Sequence, residues 1–196
     1  MIIIKEILQN YLMGNKILCG ITRKFHRTGI NSDRQKALRL YEYYKQFFDV
    51  KNKSILEIGP GQTLDILKFA LNDGSKYCSA LDIVSYFNNK SLLKNKSIDL
   101  KIYDGKIFPF GNKIFDVIIS NDTFEHLRFP ECVIRECNRV LKKNGLLITQ
   151  IDLRDHYNLD DEKNIFECLK YSKKLWEMMT INRTSYVNRL RFSDWK

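Results

Sequence analysis

The sequence predicts an α/β protein: a mostly parallel sheet with helices on both faces. Three observations predict it. From Ser54 onward, short apolar runs alternate with helical segments, the pattern of strands joined by crossover helices. Almost every residue just after these runs is glycine or polar. One run, FDVIISND at 115–122, is apolar on both faces, as a strand buried inside a parallel sheet has to be.

The elements follow in order. Residues 1–50 read as a helical segment, and 51–196 as the α/β domain. Ile3, Ile4, Ile7, Leu8 and Tyr11 recur at helical spacing, so they predict an amphipathic helix packing its apolar face on the domain. Residues 33–48 lack proline and glycine, and Ser32 or Asp33 is placed to cap a helix there. SILEIG at 54–59 predicts the first strand. A helix follows over 63–74, with Thr63 at its start and Gly74 as its stop. YCSALDI at 77–83, SIDLKIYD at 97–104 and FDVIISND at 115–122 predict three more strands. Residues 130–145 predict a helix with Pro130 in its first turn and Gly145 past its end. GLLITQID at 145–152 predicts the fifth strand, and 171–181 reads as a helix.

Composition narrows the classes. The five cysteines contain no C-x-x-C pair, and the three histidines lie far apart in sequence. That pattern predicts neither a disulfide framework nor a metal site, and it suits a reducing cytoplasm. The net charge of +10 is uneven: residues 1–50 carry nine Lys/Arg against four Asp/Glu, residues 51–169 carry seventeen of each, and residues 170–196 carry seven against two. Basic ends suit an anionic membrane face or a phosphate-bearing partner, while the neutral middle disfavours nucleic acid. The apolar N-terminus is interrupted by Lys5, Glu6, Gln9 and Asn10. It therefore predicts neither a transmembrane span nor a signal peptide, and at most a peripheral membrane contact.

The loop after the first strand decides the ligand. Gly59 permits a tight turn, Pro60 stiffens it, and Gly61 lets the backbone approach a ligand. The dinucleotide fingerprint wants a third glycine where this chain has Leu64, so an NAD-dependent oxidoreductase is disfavoured. A phosphate loop is excluded, since no Gly-Lys-Ser/Thr follows. Glu57 repels pyrophosphate and suits an ammonium or sulfonium group. Asp82 ends the second strand 21 residues after Gly61, where a carboxylate can accept from two ribose hydroxyls. The combined picture is a nucleoside with ribose and positive charge but no phosphate, a description that S-adenosylmethionine matches.

The stretches LEIGPGQT, ALDI, YDGKIFPFGNKIFDVIISNDTFEHL and RECNRVLKKNGLLI, in that order over 54–150, resemble the class I S-adenosylmethionine-dependent methyltransferases, a Rossmann-like fold. The resemblance implies that Glu57, Gly59 and Gly61 line the methionine part of the cofactor. It implies Asp82 on the ribose and Ile83 packed on the adenine. Asp104 would accept from the adenine amino group, with Gly105 beside it, and Asn121 and Asp122 would flank the methionine. Thr63 stands where many members carry another glycine.

Methyl transfer to an oxygen needs alignment and a way to remove a proton. His126 in NDTFEHL and His156 in DLRDHY both follow strands and are the candidate bases; His26 sits in a basic segment. The stretches DLRDHY and SYVNRLRFSDW resemble a methyltransferase subgroup associated with bacterial surface-polysaccharide biosynthesis. This implies an acceptor side made of Asp152, Arg154, Asp155, His156, Asn188 and Arg189, and a sugar or glycan hydroxyl as acceptor. The family sheet usually has seven strands. Only 46 residues follow Gln150, without a convincing sixth or seventh strand. An uncovered fifth strand is an edge on which a second copy can pair. A cofactor-binding module without turnover, and a nucleic-acid methyltransferase, are the rival readings.

Overall fold

The computed structural model describes residues 2–15, 33–61, 63–84, 97–156, 165–183 and 186–196. Cys19, His26, Ser32 and Gln62 lie outside the described residues. The chain divides into two compact units. One comprises Gly29–Phe124 and Phe129–Ile151; the other comprises Met1–Thr28, Glu125–Arg128 and Asp152–Lys196. The sequence-based division at residue 50 separates the chain elsewhere. Residues 34–44 group with the sheet, and residues 152–196 group with the first helix.

The sheet unit holds five strands: β1 (Ser54–Ile58), β2 (Tyr77–Asp82), β3 (Ile98–Ile102), β4 (Phe115–Asn121) and β5 (Leu141–Gln150). Their order is β3-β2-β1-β4-β5, and every pairing is parallel. The order reverses between β1 and β4, so the crevice at their carboxyl ends is the ligand position that this topology creates. β1 is buried throughout, which is why its sequence reads apolar on both faces apart from Ser54 and Glu57.

Helices α2 (Arg34–Tyr44) and α3 (Asp65–Asn72) lie on the sheet. Asp33 caps α2, its Oδ1 accepting from the Gln35 N–H at 2.8 Å. Ala37, Tyr41 and Tyr44 of α2 share one core with Ile66, Leu67 and Ala70 of α3 and with Ile55, Ala80, Val117 and Ile119 of the strands. The Tyr44 hydroxyl donates to the Ser120 carbonyl at 3.0 Å, and this ties α2 to the last turn of β4. Thr63 Oγ1 accepts from the Asp65 N–H at 3.1 Å and caps α3 from two residues out. Gly74, at φ 89°, ends that helical segment.

Helix α4 (Pro130–Val140) starts as predicted but stops at Val140, short of Gly145. The reason is the sheet register. Leu141 already pairs with Phe115, and the next paired position is Leu146 with Val117. Residues 142–145 bulge between them, with Asn144 at φ 63°. A Cβ on Gly145 would lie 2.9 Å from Leu141 Cδ2 and 3.1 Å from the Asp116 carbonyl oxygen, so glycine is required by the bulge and not by a helix cap. Among the described residues no strand follows β5.

The second unit contains α1 (Ile2–Gly14) and α5 (Lys173–Thr180). The helix α1 forms as predicted but turns its other face inward. Glu6 and Asn10 are buried, while Ile3, Ile4, Leu8, Tyr11 and Leu12 are exposed. Partners explain this inversion. Arg183 Nη1 lies 2.6 Å from Glu6 Oε2. Asn10 donates to the Met178 carbonyl at 2.9 Å and accepts from the Asn182 N–H at 2.8 Å. A buried charge is tolerated only with such a partner. Trp176, fully buried, donates its indole N–H to the Val187 carbonyl at 2.9 Å. Among the described residues no helix is long and apolar enough to cross a membrane.

Candidate functional site

The sheet unit presents its glycine loop at the topological switch. Gly59 has φ 71°, and a Cβ there would fall 2.2 Å from Thr123 Oγ1. Glycine is thus the residue that both the turn and Thr123 permit. Gly61 has φ 65° and open space where its Cβ would be, which leaves its backbone accessible to a ligand. Pro60 between them is buried.

Glu57 sits one pleat before this turn. It is 7 % exposed, and its Oε2 is buried without a hydrogen-bond partner among the described residues. Desolvation, with the nearby charges of Asp65 and Asp82, pushes its pKa up to about 8. Such a group takes up either a proton or a cationic ligand. Asp82 is raised to about 6 by burial, partly offset by backbone N–H groups of Val84, Ile83 and Gly61. Its Oδ1 accepts from the Ile83 N–H at 2.7 Å. Ile83 itself is exposed, and a Cβ on Gly105 would lie 3.9 Å from its Cγ2. An apolar side chain and a glycine backbone therefore face one another beside the second strand end.

Asp104 is exposed and folds back on its own loop. Its Oδ1 accepts from Lys106 N–H at 2.8 Å and Ile107 N–H at 2.9 Å, and these bonds hold its pKa below the ordinary value. At the end of β4, Asn121 donates to Asp122 Oδ2 at 2.7 Å. Asn121 Oδ1 is buried and without a partner among the described residues. Asp122 adopts φ 48°, and Lys36 of α2 reaches to 4.0 Å from its carboxylate. All ten cofactor positions expected from the sequence lie in this unit.

Comparison with known proteins agrees with this geometry. Residues 56–149 match a family described as a methyltransferase domain. That description implies S-adenosylmethionine as the cofactor. No curated protein matches the chain. A solved protein from Pyrococcus horikoshii OT3 is 24 % identical, with 68 % of this chain and 64 % of that one aligned at a TM-score of 0.54. A candidate methyltransferase from Bacillus halodurans C-125 is 18 % identical over 84 % of this chain and 65 % of that one, at a TM-score of 0.52. The cyclase SpnF is 22 % identical over 62 % of this chain, at a TM-score of 0.51. These likenesses show the fold. The chain spans about half the length of several solved relatives, 47 % of SpnF among them.

The residues at the strand ends of the sheet unit suit this cofactor. An orphaned, acid-surrounded Glu57 answers a cationic group, and Asp82 with the Ile83–Gly105 pair answers ribose and adenine. Three of the cysteines are poor nucleophiles: burial pushes the thiols of Cys78, Cys137 and Cys168 up to about 11, 12 and 11.

The residues expected on the acceptor side lie in the second unit, where the structure sorts them into two groups. Asp155, Asn188 and Arg189 bond backbone groups. Asp155 is 1 % exposed and its Oδ2 accepts from the Cys168 N–H at 2.7 Å. Asn188 donates to the Leu127 carbonyl at 3.3 Å. Arg189, at φ 64°, donates to the carbonyls of Cys168 at 3.0 Å and Tyr171 at 2.7 Å. Their polarity in the sequence reflects backbone groups that need partners.

Asp152, Arg154, His126 and His156 form the other group. Arg154 Nη2 lies 2.6 Å from Asp152 Oδ2, and this bond holds the Asp152 carboxyl well below the usual carboxylate range. His156 Nε2 is 3.3 Å from the same oxygen. His126 Nδ1 lies 2.6 Å from the Tyr186 carbonyl, so Nδ1 carries a hydrogen and donates it there. The two imidazole rings are 4.9 Å apart. Glu125, which the sequence reading passed over, joins them. The cavity lined by Glu125, Asp152, Cys168 and Arg191 holds about 10 Å³, room for a water and not for a sugar.

Proposed function

We propose that the chain transfers a methyl group from S-adenosylmethionine to an oxygen, on a sugar or glycan intermediate. The buried, unpartnered Glu57 behind the glycine loop is the observation that carries this reading. The bound cofactor supplies an electrophilic methyl group on a sulfonium. Glu57 accepts from the cationic methionine end. Asp82 accepts from the ribose hydroxyls, and Ile83 covers the adenine. Asp104 keeps one carboxylate oxygen for the adenine amino group, since Oδ1 is already used by its own loop.

Arg154, His126 and His156 are the candidates for the acceptor side. Arg154 is exposed and offers guanidinium N–H groups to hydroxyls or to a phosphate on the acceptor. The cluster of His126 and His156 handles the proton that the acceptor hydroxyl must lose. Support for a sugar comes from the stretches DLRDHY and SYVNRLRFSDW and from the local excess of basic residues over 170–196. The test is calorimetry with S-adenosylmethionine, followed by transfer of a radiolabelled methyl group to nucleotide-sugar, lipid-linked sugar and polysaccharide fractions. Label in a sugar-bearing fraction supports the reading. Binding with no label in any fraction supports a module without turnover, and label in nucleic acid overturns the choice of acceptor.

A further inference from the structure

We propose that Glu125, His126 and His156 hold a divalent metal ion of the zinc class. One ligand atom from each of the three lies within 4.8 Å of the others. Tetrahedral zinc with bonds of about 2.0–2.1 Å holds its ligand atoms about 3.4 Å apart. The three groups need to close by no more than about 1.5 Å, within the reach of side-chain rotation. Two imidazoles and one carboxylate are a donor set that such ions accept, with a fourth position left for an oxygen ligand.

The surroundings match what stands behind metal-bound histidines. Such a ring usually gives its second nitrogen to a carbonyl or a carboxylate, which fixes its tautomer and orientation. Here the Tyr186 carbonyl holds His126 Nδ1 at 2.6 Å, leaving Nε2 as the ligand atom. Asp152 Oδ2 sits 3.3 Å from the His156 ring, and Arg154 fixes that carboxylate in turn. Glu125 is 3 % exposed, so an ion there is shielded from water. The sequence hides this set, because His126 and His156 are thirty residues apart and show none of the short ligand spacings of zinc motifs.

Ion binding stands on these three residues alone. Its consequence for turnover rests on the methyl-transfer reading: an ion here would favour the hydroxide form of a water at the open position, a base for the acceptor's proton.

The test uses the full chain stripped with a chelator and titrated with cobalt(II) and zinc(II). One equivalent of cobalt produces visible d–d absorption. His126→Ala and His156→Ala abolish it, and Asp152→Asn weakens binding about 10-fold. S-adenosylhomocysteine binding, measured in parallel, reports that each variant is folded. A second measurement uses the wild-type chain, which has three histidines. One equivalent of zinc is expected to shift two of the three ring signals in NMR and stop their titration, leaving the third unchanged. No cobalt uptake by the wild type, uptake unchanged in both histidine variants, or three unaltered ring signals each overturn the proposal. Metal uptake without any S-adenosylmethionine binding would sink the proposed function and leave the metal site standing.

Discussion

The two units are held together by different physics. The sheet unit is a periodic apolar core: Ile55, Leu56, Ile58, Val117, Ile118 and Ile119 fill its centre, all at most 2 % exposed. Its most buried polar side chains, Ser79 and Ser120, donate to carbonyls, whereas Glu57 keeps a buried oxygen without a partner among the described residues. The helical unit buries polar groups throughout. Glu6 pairs with Arg183, Asn10 bridges Met178 and Asn182, and Arg189 and Arg191 hold backbone carbonyls. An unsatisfied buried polar group in the first unit therefore marks ligand chemistry, while buried polar groups in the second are mostly architecture.

Breaking the architecture should have the larger effect on stability. Arg183→Ala leaves the Glu6 carboxylate buried without its ion-pair partner, and a loss of about 3–5 kcal/mol is expected in urea unfolding. A loss below about 1 kcal/mol would mean that this pair is solvated. In the sheet unit, Gly59→Ala forces a Cβ onto Thr123 at a positive φ. It is expected to cost about 3 kcal/mol. Gly61→Ala meets nothing within 4 Å, so it should cost about 1–2 kcal/mol in stability and lose more in cofactor affinity. Equal stability losses at the two glycines would contradict the turn geometry.

The same contrast governs what the sequence reveals. Strand and helix positions in the sheet unit were legible because apolar periodicity and glycine punctuation act locally. The ligand class followed from Glu57, Leu64 and Asp82, whose side chains state what they repel and attract. The end of α4 was not legible, since LKKNG at 141–145 reads as a good helix terminus until β4 claims Leu141 for pairing. The buried face of α1 was hidden for another reason. Apolar spacing pointed to Ile3, Ile4, Leu8 and Tyr11, but the partners of Glu6 and Asn10 lie more than 160 residues away. Glu125 was overlooked beside His126 because one acid in a loop has no pattern until His156 is placed next to it. Asp155, Asn188 and Arg189 each bond a backbone group, a partner that sequence alone does not reveal.

Acidity distinguishes the strand-end acids from the architecture. The pKa of Glu57 stands at about 8 in the folded chain, above its unfolded value. Its favourable contribution is complete below about pH 4.5 and is lost as pH rises through about 8. Asp82, raised to about 6, adds a loss of the same sign over a lower window. Ligand-free protein should thus lose about 2 kcal/mol more than the Glu57→Gln variant between about pH 5 and about pH 7. Parallel denaturation curves at both pH values would show that Glu57 is not desolvated.

A smaller effect concerns the link between α2 and β4. Tyr44→Phe removes the hydroxyl that donates to the Ser120 carbonyl and should cost about 1 kcal/mol. Cofactor affinity should fall only slightly, because Tyr44 supports the strand end without meeting the ligand. A large loss of affinity with unchanged stability would make Tyr44 part of the binding surface.

The central claim is that Glu57 waits for the cationic end of S-adenosylmethionine. Isothermal titration of the cofactor into the wild type and into Glu57→Gln tests it most directly. The wild type should bind, and the variant, with shape kept and charge removed, should bind about 30-fold or more weakly while unfolding at no lower denaturant concentration at about pH 7. Equal affinities in a folded variant, or no binding by the wild type at millimolar cofactor, would contradict it.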